Sequence, residues 1–296
     1  RGASREFEVH NAMTTGGDGA GIIPTRISSE VWYALLGRLA IAEAGAPVIT
    51  LENGSVQVPV EATAPSAAWV AEGAAISDSG GDFDAGTLAP HKIAFLIEAS
   101  NEMLLDAPAV ADQHIRQALL NALTRGLNSG FLNGSGTSNE PLGLFSSTPT
   151  YRSDESGNTL AHDMIMNAYW NIVGAGGDPQ NIRAIMAPAA AQFLDSIRAD
   201  SGAGEYLTAS ASQSAAVGRV VTDSVSVTSG TPDNTSILVG DFAQGTAMYS
   251  FGPMRMDVDA SASFAKDSVV FRVVQRVDVA VRQPSLLKRL DAVDLG

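Results

Sequence analysis

The stretch from Ala94 to Phe145 decides the fold and reads AFLIEASNEMLLDAPAVADQHIRQALLNALTRGLNSGFLNGSGTSNEPLGLF. Its middle carries apolar residues at every fourth position, with small residues beside them: Ile115, Leu119, Leu123, Leu127 and Phe131, with Ala111 and Ala118. Polar residues fill the other side, which is the pattern of one long amphipathic helix. Asp106 can cap its start, and Pro108 suits its first turn, where a missing N–H costs little. The glycine-rich run 133–136 predicts its end, after roughly 35 Å.

Two strand patterns precede this helix. Val56, Val58 and Val60 alternate with polar residues and a proline, which predicts a half-exposed strand. Residues 88–99 predict a returning strand, and the loose polar run 61–86 lies between the two. Together they predict a long protruding hairpin. A hairpin of this kind has too little core to be stable alone, so we expect it to lie on an adjacent copy of the chain.

The N-terminal part predicts an arm followed by a short helix. Residues 1–24 are polar and glycine-rich, and we expect a neighbouring chain to order them. Residues 27–46 predict one short amphipathic helix, with apolar residues on one face: Ile27, Val31, Leu35 and Leu39. Further on, Asp78, Asp82 and Asp84 could suggest a Ca²⁺ loop. Their spacing misses the EF-hand pattern, so a solvated hairpin tip is favoured.

The second half of the chain alternates short helices and strands. Residues 159–172 and 188–198 predict helices, and residues 182–186, 219–222 and 236–241 predict strands, which together indicate a compact α/β module.

From Val269 to Val281 the odd positions are almost all apolar, which predicts a long strand with one buried face. We expect this strand to pack against the long helix, with Arg272, Arg276 and Asp278 on its other side.

The composition narrows the class of function. A net charge of −14 argues against an ordinary nucleic-acid-binding surface. The absence of cysteine excludes disulfides and thiolate metal sites, and the lack of a long uncharged apolar run predicts no membrane span. The four histidines are scattered and no nucleophile motif is present. We therefore predict no catalytic residues, no metal site and no cofactor.

Several motifs together resemble the major capsid proteins of tailed bacteriophages of the Hong Kong 97 type. They are S-x-E-x-L at Ser100, Glu102 and Leu104, and F-L-N-G-S-G-T-x-x-x-P-x-G from Phe131 to Gly143. Upstream, the segment from Trp69 to Gly73 resembles the W-x-x-E-G of that family's extended loop. The resemblance covers nearly the whole chain. It implies an α+β fold with an N-arm, an extended β-hairpin loop, a peripheral domain with a long spine helix, and an axial α/β domain.

The resemblance also divides the chain into five segments. They are the N-terminal arm and short helix (1–46), the extended hairpin loop (47–92), the first part of the peripheral domain with the spine helix (93–145), the axial domain (146–252) and the second part of the peripheral domain (253–296). Within the loop, Trp69 and Glu72 are candidate inter-subunit contacts. Trp69 either packs within the hairpin or anchors on a neighbouring subunit. The anchor is favoured because large aromatic residues carry much of the energy of interfaces.

The implied function is that of a structural subunit. Copies would assemble into hexamers and pentamers of an icosahedral shell that encloses double-stranded DNA and makes non-specific contact with it. The location would be the virion capsid, assembled in the host cytoplasm. Further implied partners are a portal, a maturation protease and a cement protein. The start of the chain at Arg1 would fit the removal of an N-terminal segment by that protease.

Some members of the family crosslink their subunits through an isopeptide bond between a Lys in the loop and an Asn on a neighbour, and a Glu promotes the formation of this bond. The only lysines here are Lys92, Lys266 and Lys288, and none lies in the loop tip. The acceptor motif F-x-K-N is matched by residues 264–267, where Asp267 replaces Asn, and the position of the Glu falls on Val274. We therefore expect no autocatalytic crosslinking.

Two other functions remain as alternatives. An encapsulin-like nanocompartment shell shares the fold, although it would usually lack the glycine-rich arm. A soluble α/β hydrolase or binding protein belongs to a different class, and it is disfavoured because no convergent polar site is visible in the sequence.

Overall fold

The computed structural model describes residues 35, 37–52, 56–63, 67–76, 81–100, 102, 108–137, 139–147, 152–154, 158–197, 217–228, 233–263 and 266–295. For residues 61–63, 82–83, 108–116, 152–154 and 260–263 it describes the backbone alone.

The helices are α1 (Ala40–Glu43), α2 (Pro108–Asn133), α3 (His162–Gly174), α4 (Pro188–Ser196) and α5 (Phe242–Gly245), with a 3₁₀ turn at Pro284–Leu286. The strands are β1 (Val48–Leu51), β2 (Val56–Thr63), β3 (Asp82–Leu88), β4 (His91–Ser100), β5 (Arg152–Asp154), β6 (Ile182–Met186), β7 (Gly218–Val221), β8 (Val227–Thr228), β9 (Asn234–Asp241), β10 (Thr246–Phe251), β11 (Arg255–Ser263), β12 (Ser268–Val281) and β13 (Leu287–Asp294).

The first sheet is built around β12, which confirms the predicted long strand. One edge of β12 pairs with β4, antiparallel, from Ser268 to Val277. The other edge pairs with β11 and then with β10, and β1 adds to β10 in parallel. Odd-numbered residues of β12 such as Val273, Val277 and Val279 are buried, as the alternation predicts.

Helix α2 covers the buried face of this sheet. Its apolar stripe, Leu119, Leu123, Leu127 and Phe131, is at most 2% exposed and belongs to the same hydrophobic cluster as the inward side chains of β12. The predicted helix and its packing partner are therefore confirmed, although Ala118 is exposed.

A second sheet has the order β5-β13-β9-β6-β7, with β8 beside β9. Helices α3 and α4 pack against it in a separate hydrophobic cluster. The chain crosses between the two sheets twice near its end. It enters the first sheet at β10 and, after β12, the turn at Pro284 returns it to the second sheet as β13.

The glycine-rich run after α2 ends the helix by folding back onto it. The N–H groups of Leu144 and Phe145 bond the carbonyls of Phe131 and Leu132 at 2.9 and 2.8 Å, which satisfies two helix-end acceptors. The returning chain passes so close that a Cβ on Gly143 would lie 2.6 Å from the Leu132 oxygen and 2.5 Å from the Gly134 nitrogen. The glycines at positions 134 and 143 therefore have a structural reason, because the two segments of chain pass too close together at this turn to leave room for a side chain on Gly134 or Gly143.

Strands β2 and β3 pair with each other alone and form a protruding hairpin; we call residues 52–88 the finger. Its base packs on the first sheet through Leu88, which lies with Tyr249 and Phe251 in a small cluster. Directly after Leu88, the Ala89 N–H donates to the carboxylate of Asp278 on β12 at 3.0 Å. Asp278 is 5% exposed, so a buried carboxylate fixes the point where the finger joins the sheet.

The structure corrects three sequence predictions. The predicted helix over residues 27–46 is interrupted, because residues 37–38 form a turn and Leu39 is extended before α1 begins. The predicted returning strand over 88–99 corresponds to β4, but β4 pairs with β12 in the first sheet; the strand that pairs with β2 is β3, which lies mostly in the run 61–86 that was expected to be loose, and Ala89-Pro90 forms the bend between them. Asp278, expected among exposed positions, is buried by the base of the finger.

Some predictions fall outside the described residues. They are the arm over 1–24, the first part of the helix over 27–46, Asp78, Leu104, Asp106, and Phe264-Ala265 of the acceptor motif.

Replacement of Gly143 by Ala should destabilise the unassembled protein by about 2 kcal/mol or more, because the new methyl group meets backbone atoms rather than a movable side chain. Urea unfolding measures this. Gly174→Ala is the matched control: the glycine ends α3 with nothing within 4 Å of an added Cβ, so it should gain up to about 1 kcal/mol. Equal effects of the two substitutions would contradict the packing argument.

Burial raises the pKa of Asp278 above its ordinary value of 3.8, and the N–H groups of Ala89 and Val279 and the charge of His91 only partly oppose this. The folded state therefore binds the proton more tightly than the unfolded state. The stability that this residue contributes is fully present below about pH 3.8 and is lost as the pH rises through the raised value. In urea unfolding across this range, the stability of the protein relative to Asp278→Asn should fall as the pH rises. His91→Gln removes the neighbouring histidine side chain as a control, and an unchanged difference across pH would refute the assignment.

Candidate assembly surfaces

The finger tip is the most solvent-exposed apolar surface among the described residues. Every residue from 67 to 76 is exposed, including Trp69, Val70 and Ile76. The Trp69 side chain is fully exposed, with a relative exposure of 106%. Leaving a tryptophan in water forgoes the burial energy that such side chains normally supply, so the tip has the character of an unoccupied contact surface.

The two predicted contact residues lie together on this tip. Glu72 is also exposed, three residues from Trp69 and in the same irregular segment between β2 and β3. A segment that exposes both an apolar side chain and a carboxylate can bind a surface that offers an apolar contact and a cation. Packing of Trp69 within its own hairpin, the other reading of the sequence, does not occur.

The positions that match the family crosslink site lie on or beside β12. Asp267 precedes the strand with a positive φ of 48°, and Val274 is half-buried in the strand. Lys266 pairs with Glu98 of β4 at 3.5 Å, and Lys92 lies in β4. Lys288 lies in β13 of the second sheet, so no lysine belongs to the finger.

The solvent face of the first sheet carries an ion-pair cluster. Asp257 on β11 accepts from Arg272 at 2.6 Å and from Arg255 at 2.9 Å. The hydrogen bonds from Arg272 and then Arg255 hold the pKa of Asp257 below its ordinary value. These side chains remain largely in water, so the cluster sets the shape and charge of the face more than its stability.

Two kinds of functional element are absent from the described ranges. No group of three or more histidine and acidic side chains could hold a metal ion there. Among the same residues, no helix combines the length and apolar character needed to cross a bilayer.

Sequence reasoning missed the polar groups that join the parts of the molecule. Asn128 on α2 is buried and accepts from the Ala40 N–H, which ties α1 to the long helix. On β13, Arg289 and Asp291 form a buried ion pair at 2.7 Å. The sequence does mark Asn128 as unusual, because it is a polar residue next to Leu127 on the apolar side of the helix. Its partner Ala40 lies 88 positions away, so no local pattern predicts the hydrogen bond between them.

Comparison with known proteins identifies the family. The profile of the phage capsid family matches residues 19–292. The major capsid protein of Halomonas phage phiHAP-1 is 25% identical over 269 residues, which is 88% of this chain and 42% of that protein. The chain thus spans less than half of that relative's length.

Solved structures share the fold. The capsid of the native GTA particle superposes with a TM-score of 0.67 at 20% identity, covering 86% of this chain and 90% of that one. The holo-SrpI encapsulin complex from Synechococcus elongatus PCC 7942 gives 0.56 at 14% identity, over 99% and 97%. The α+β capsid fold of the Hong Kong 97 type is confirmed, and the family match over nearly the whole sequence, together with this geometry, places the chain in the phage capsid family.

Proposed function

We propose that this chain is the structural subunit of an icosahedral phage capsid, in which copies assemble as hexamers and pentamers around packaged double-stranded DNA. The observation that carries the proposal is the finger: a hairpin without a core, ending in a fully exposed tryptophan, on a chain of the phage capsid family. An apolar surface that is exposed in one protomer and present on every copy favours repeated contacts between copies. Electron microscopy of the purified protein tests this, since closed particles are expected and a stable monomer would refute it.

The five sequence segments form part of this proposal. The arm and the finger act as extensions that reach neighbours, the first sheet with α2 acts as the peripheral domain, and the second sheet acts as the axial domain near the symmetry axes. The strand pairing changes these boundaries, because β1 and β10 belong with the first sheet and β13 with the second. A portal, a maturation protease and a cement protein are the further partners that the family likeness suggests.

An encapsulin-like shell is the second candidate, and it is favoured by one observation: the encapsulin structure covers nearly all of this chain. The nucleic-acid content of purified particles separates the two functions. Packaged double-stranded DNA supports the phage capsid, whereas particles filled with protein cargo support the nanocompartment.

The proposed shell is held without covalent bonds. A carboxylate at Asp267 offers no amide nitrogen to displace, Val274 has no proton-accepting group, and the finger has no lysine. Denaturing gel electrophoresis of intact particles should therefore show a single band near 30.6 kDa. A ladder of heat-stable oligomers would contradict this.

Removing the exposed aromatic side chain should weaken assembly without affecting the fold. Trp69→Ala should cost about 2 kcal/mol or more per contact, roughly a thirty-fold loss in the contact's equilibrium constant, if Trp69 is an interface anchor. Sedimentation of particles at a series of protein concentrations measures this loss.

Trp69→Phe is the matched control, since it keeps an aromatic anchor and should retain most of the assembly. Urea unfolding of unassembled Trp69→Ala should agree with the parent within about 0.5 kcal/mol, because the side chain is fully exposed. Normal assembly of Trp69→Ala would show that Trp69 does not belong to the interface.

A further inference from the structure

A cavity of about 280 Å³ lies between the last turns of α2, the start of β4 and the turn at residues 139–141, and it opens to solvent. Its walls are mainly apolar and are formed by Ile93, Leu127, Phe131, Pro141 and Val277. An apolar cavity of about 150 Å³ is enough to hold one benzene ring, so this cavity has room for a ligand of two fused rings.

The cavity lies along the free edge of β4. His91, Lys92 and Ile93 all line it, although successive side chains of a strand point to opposite faces of the sheet. A space that contacts three consecutive residues therefore lies beside the strand rather than above one face. Within the described part of the chain, β4 pairs with β12 alone, so its other edge carries no strand.

This free edge supplies hydrogen-bonding groups to the cavity. In an antiparallel pair, alternate residues direct both their N–H and their C=O groups to the same edge. Either Lys92, or both His91 and Ile93, must therefore present an N–H donor and a C=O acceptor on the side away from β12. The cavity thus combines apolar walls with a neighbouring donor and acceptor of the backbone.

Helix α2 keeps its side of the cavity free of side chains. Gly126, Gly130 and Gly134 follow one another at four-residue spacing, and all three line the cavity. Packing accounts for two of them, because a Cβ on Gly126 would lie 2.8 Å from the Ile93 side chain and one on Gly134 would collide with the Pro141 oxygen. A Cβ on Gly130 would lie at an ordinary contact distance, 3.6 Å from Pro141. Glycine weakens a helix interior relative to alanine, so Gly130 costs stability that packing does not demand, and it keeps the cavity open.

The charged groups at the mouth of the cavity have opposite signs. Lys92 on β4 and Glu140 on the turn are both exposed, and His91 beside them is half-buried. The Glu140 carboxylate accepts from the Ser135 hydroxyl at 3.3 Å. A cation and a carboxylate at one opening give no strong preference for either sign of charge. The surroundings therefore favour a neutral ligand.

We propose that this cavity binds a small, neutral, planar molecule of two fused rings whose edge carries an N–H donor beside a C=O acceptor, as in a cyclic lactam. The ring faces lie between the glycine side of α2 and the apolar walls, and the lactam exchanges two hydrogen bonds with the free edge of β4. This inference goes beyond the proposed shell function and does not rest on it. Because His91 directly follows the bend at Ala89-Pro90, a bound ligand would join α2 to the base of the finger.

A matched pair of probes tests the hydrogen bonds. The fused lactam 2-quinolinone carries the N–H and the C=O, whereas quinoline keeps the two rings and lacks both groups. Titration of the purified full chain, followed by ligand-observed NMR, should show saturable binding of 2-quinolinone with a Kd of about 1 mM or tighter. Quinoline should bind about five-fold or more weakly, because it cannot make both hydrogen bonds. Equal affinities, or no saturable binding of 2-quinolinone, would overturn the proposal.

Hydrogen exchange locates the bound probe. Saturating 2-quinolinone should slow amide exchange in peptides that contain residues 91–93, and it should leave exchange at residues 67–76 unchanged. Protection of residues 67–76 alone would overturn the proposal, because the probe would then be stacking on the exposed Trp69 ring.

Filling the cavity provides an independent measurement. Gly130→Leu should weaken 2-quinolinone binding about ten-fold or more, because its side chain occupies the space of the ligand. Gly174→Leu is the matched control: it makes the same change at the end of α3, where nothing lies within 4 Å of an added Cβ, and it should bind like the parent. Urea unfolding reports whether each variant folds. Gly130→Ala, whose methyl group has room, should weaken binding about two-fold or more and replaces Gly130→Leu if that variant does not fold. Parent-like affinity of the folded variant would overturn the proposal.

Discussion

The hydrogen-bonded pairing of β12 along both of its edges is the constraint on which the rest of the structure depends. One edge joins β4, which leads directly into α2, and the other joins β10 and β11, which arrive from the second sheet. A strand paired on both edges leaves no free backbone for further pairing, and its inward side chains fix where α2 packs. β12 is therefore the centre of the first sheet, and any contact of this strand with another copy must use the side chains on its solvent face.

The finger depends on that body through few contacts. Leu88 packs on Tyr249 and Phe251, and Asp278 accepts the Ala89 N–H at the bend between β3 and β4. Holding this bend with a buried carboxylate costs free energy, because burial raises the pKa of Asp278 and opposes its ionisation. It fixes the base of the finger at one point, while residues 67–76 further out are all exposed. This combination suits an element that must leave the body in a defined direction and adapt to a neighbour.

The sequence predicts the elements whose signal is local and misses those whose cause lies far along the chain. The four-residue spacing of Leu119, Leu123 and Leu127 predicts α2, and the alternation after Val269 predicts β12, because each pattern reports one buried face. No alternating pattern predicts β3, which lies mostly in the polar run 61–86, and the pairing of β4 with β12 rather than with β2 is decided by partners far along the chain. Asp278 is misplaced for the same reason, since its burial comes from a finger base almost 190 positions away. The motif around Trp69 singles this residue out, but its full exposure is visible only in the structure.

The net charge of the chain constrains any contact between its copies. With a net charge of −14, protomers repel one another at long range, and this repulsion slows indiscriminate association. Physiological salt screens charges that are more than about 8 Å apart, so at a contact only the local charges matter. In the proposed shell, which lacks covalent links, the apolar contact of Trp69 would supply the binding energy that screened ion pairs cannot.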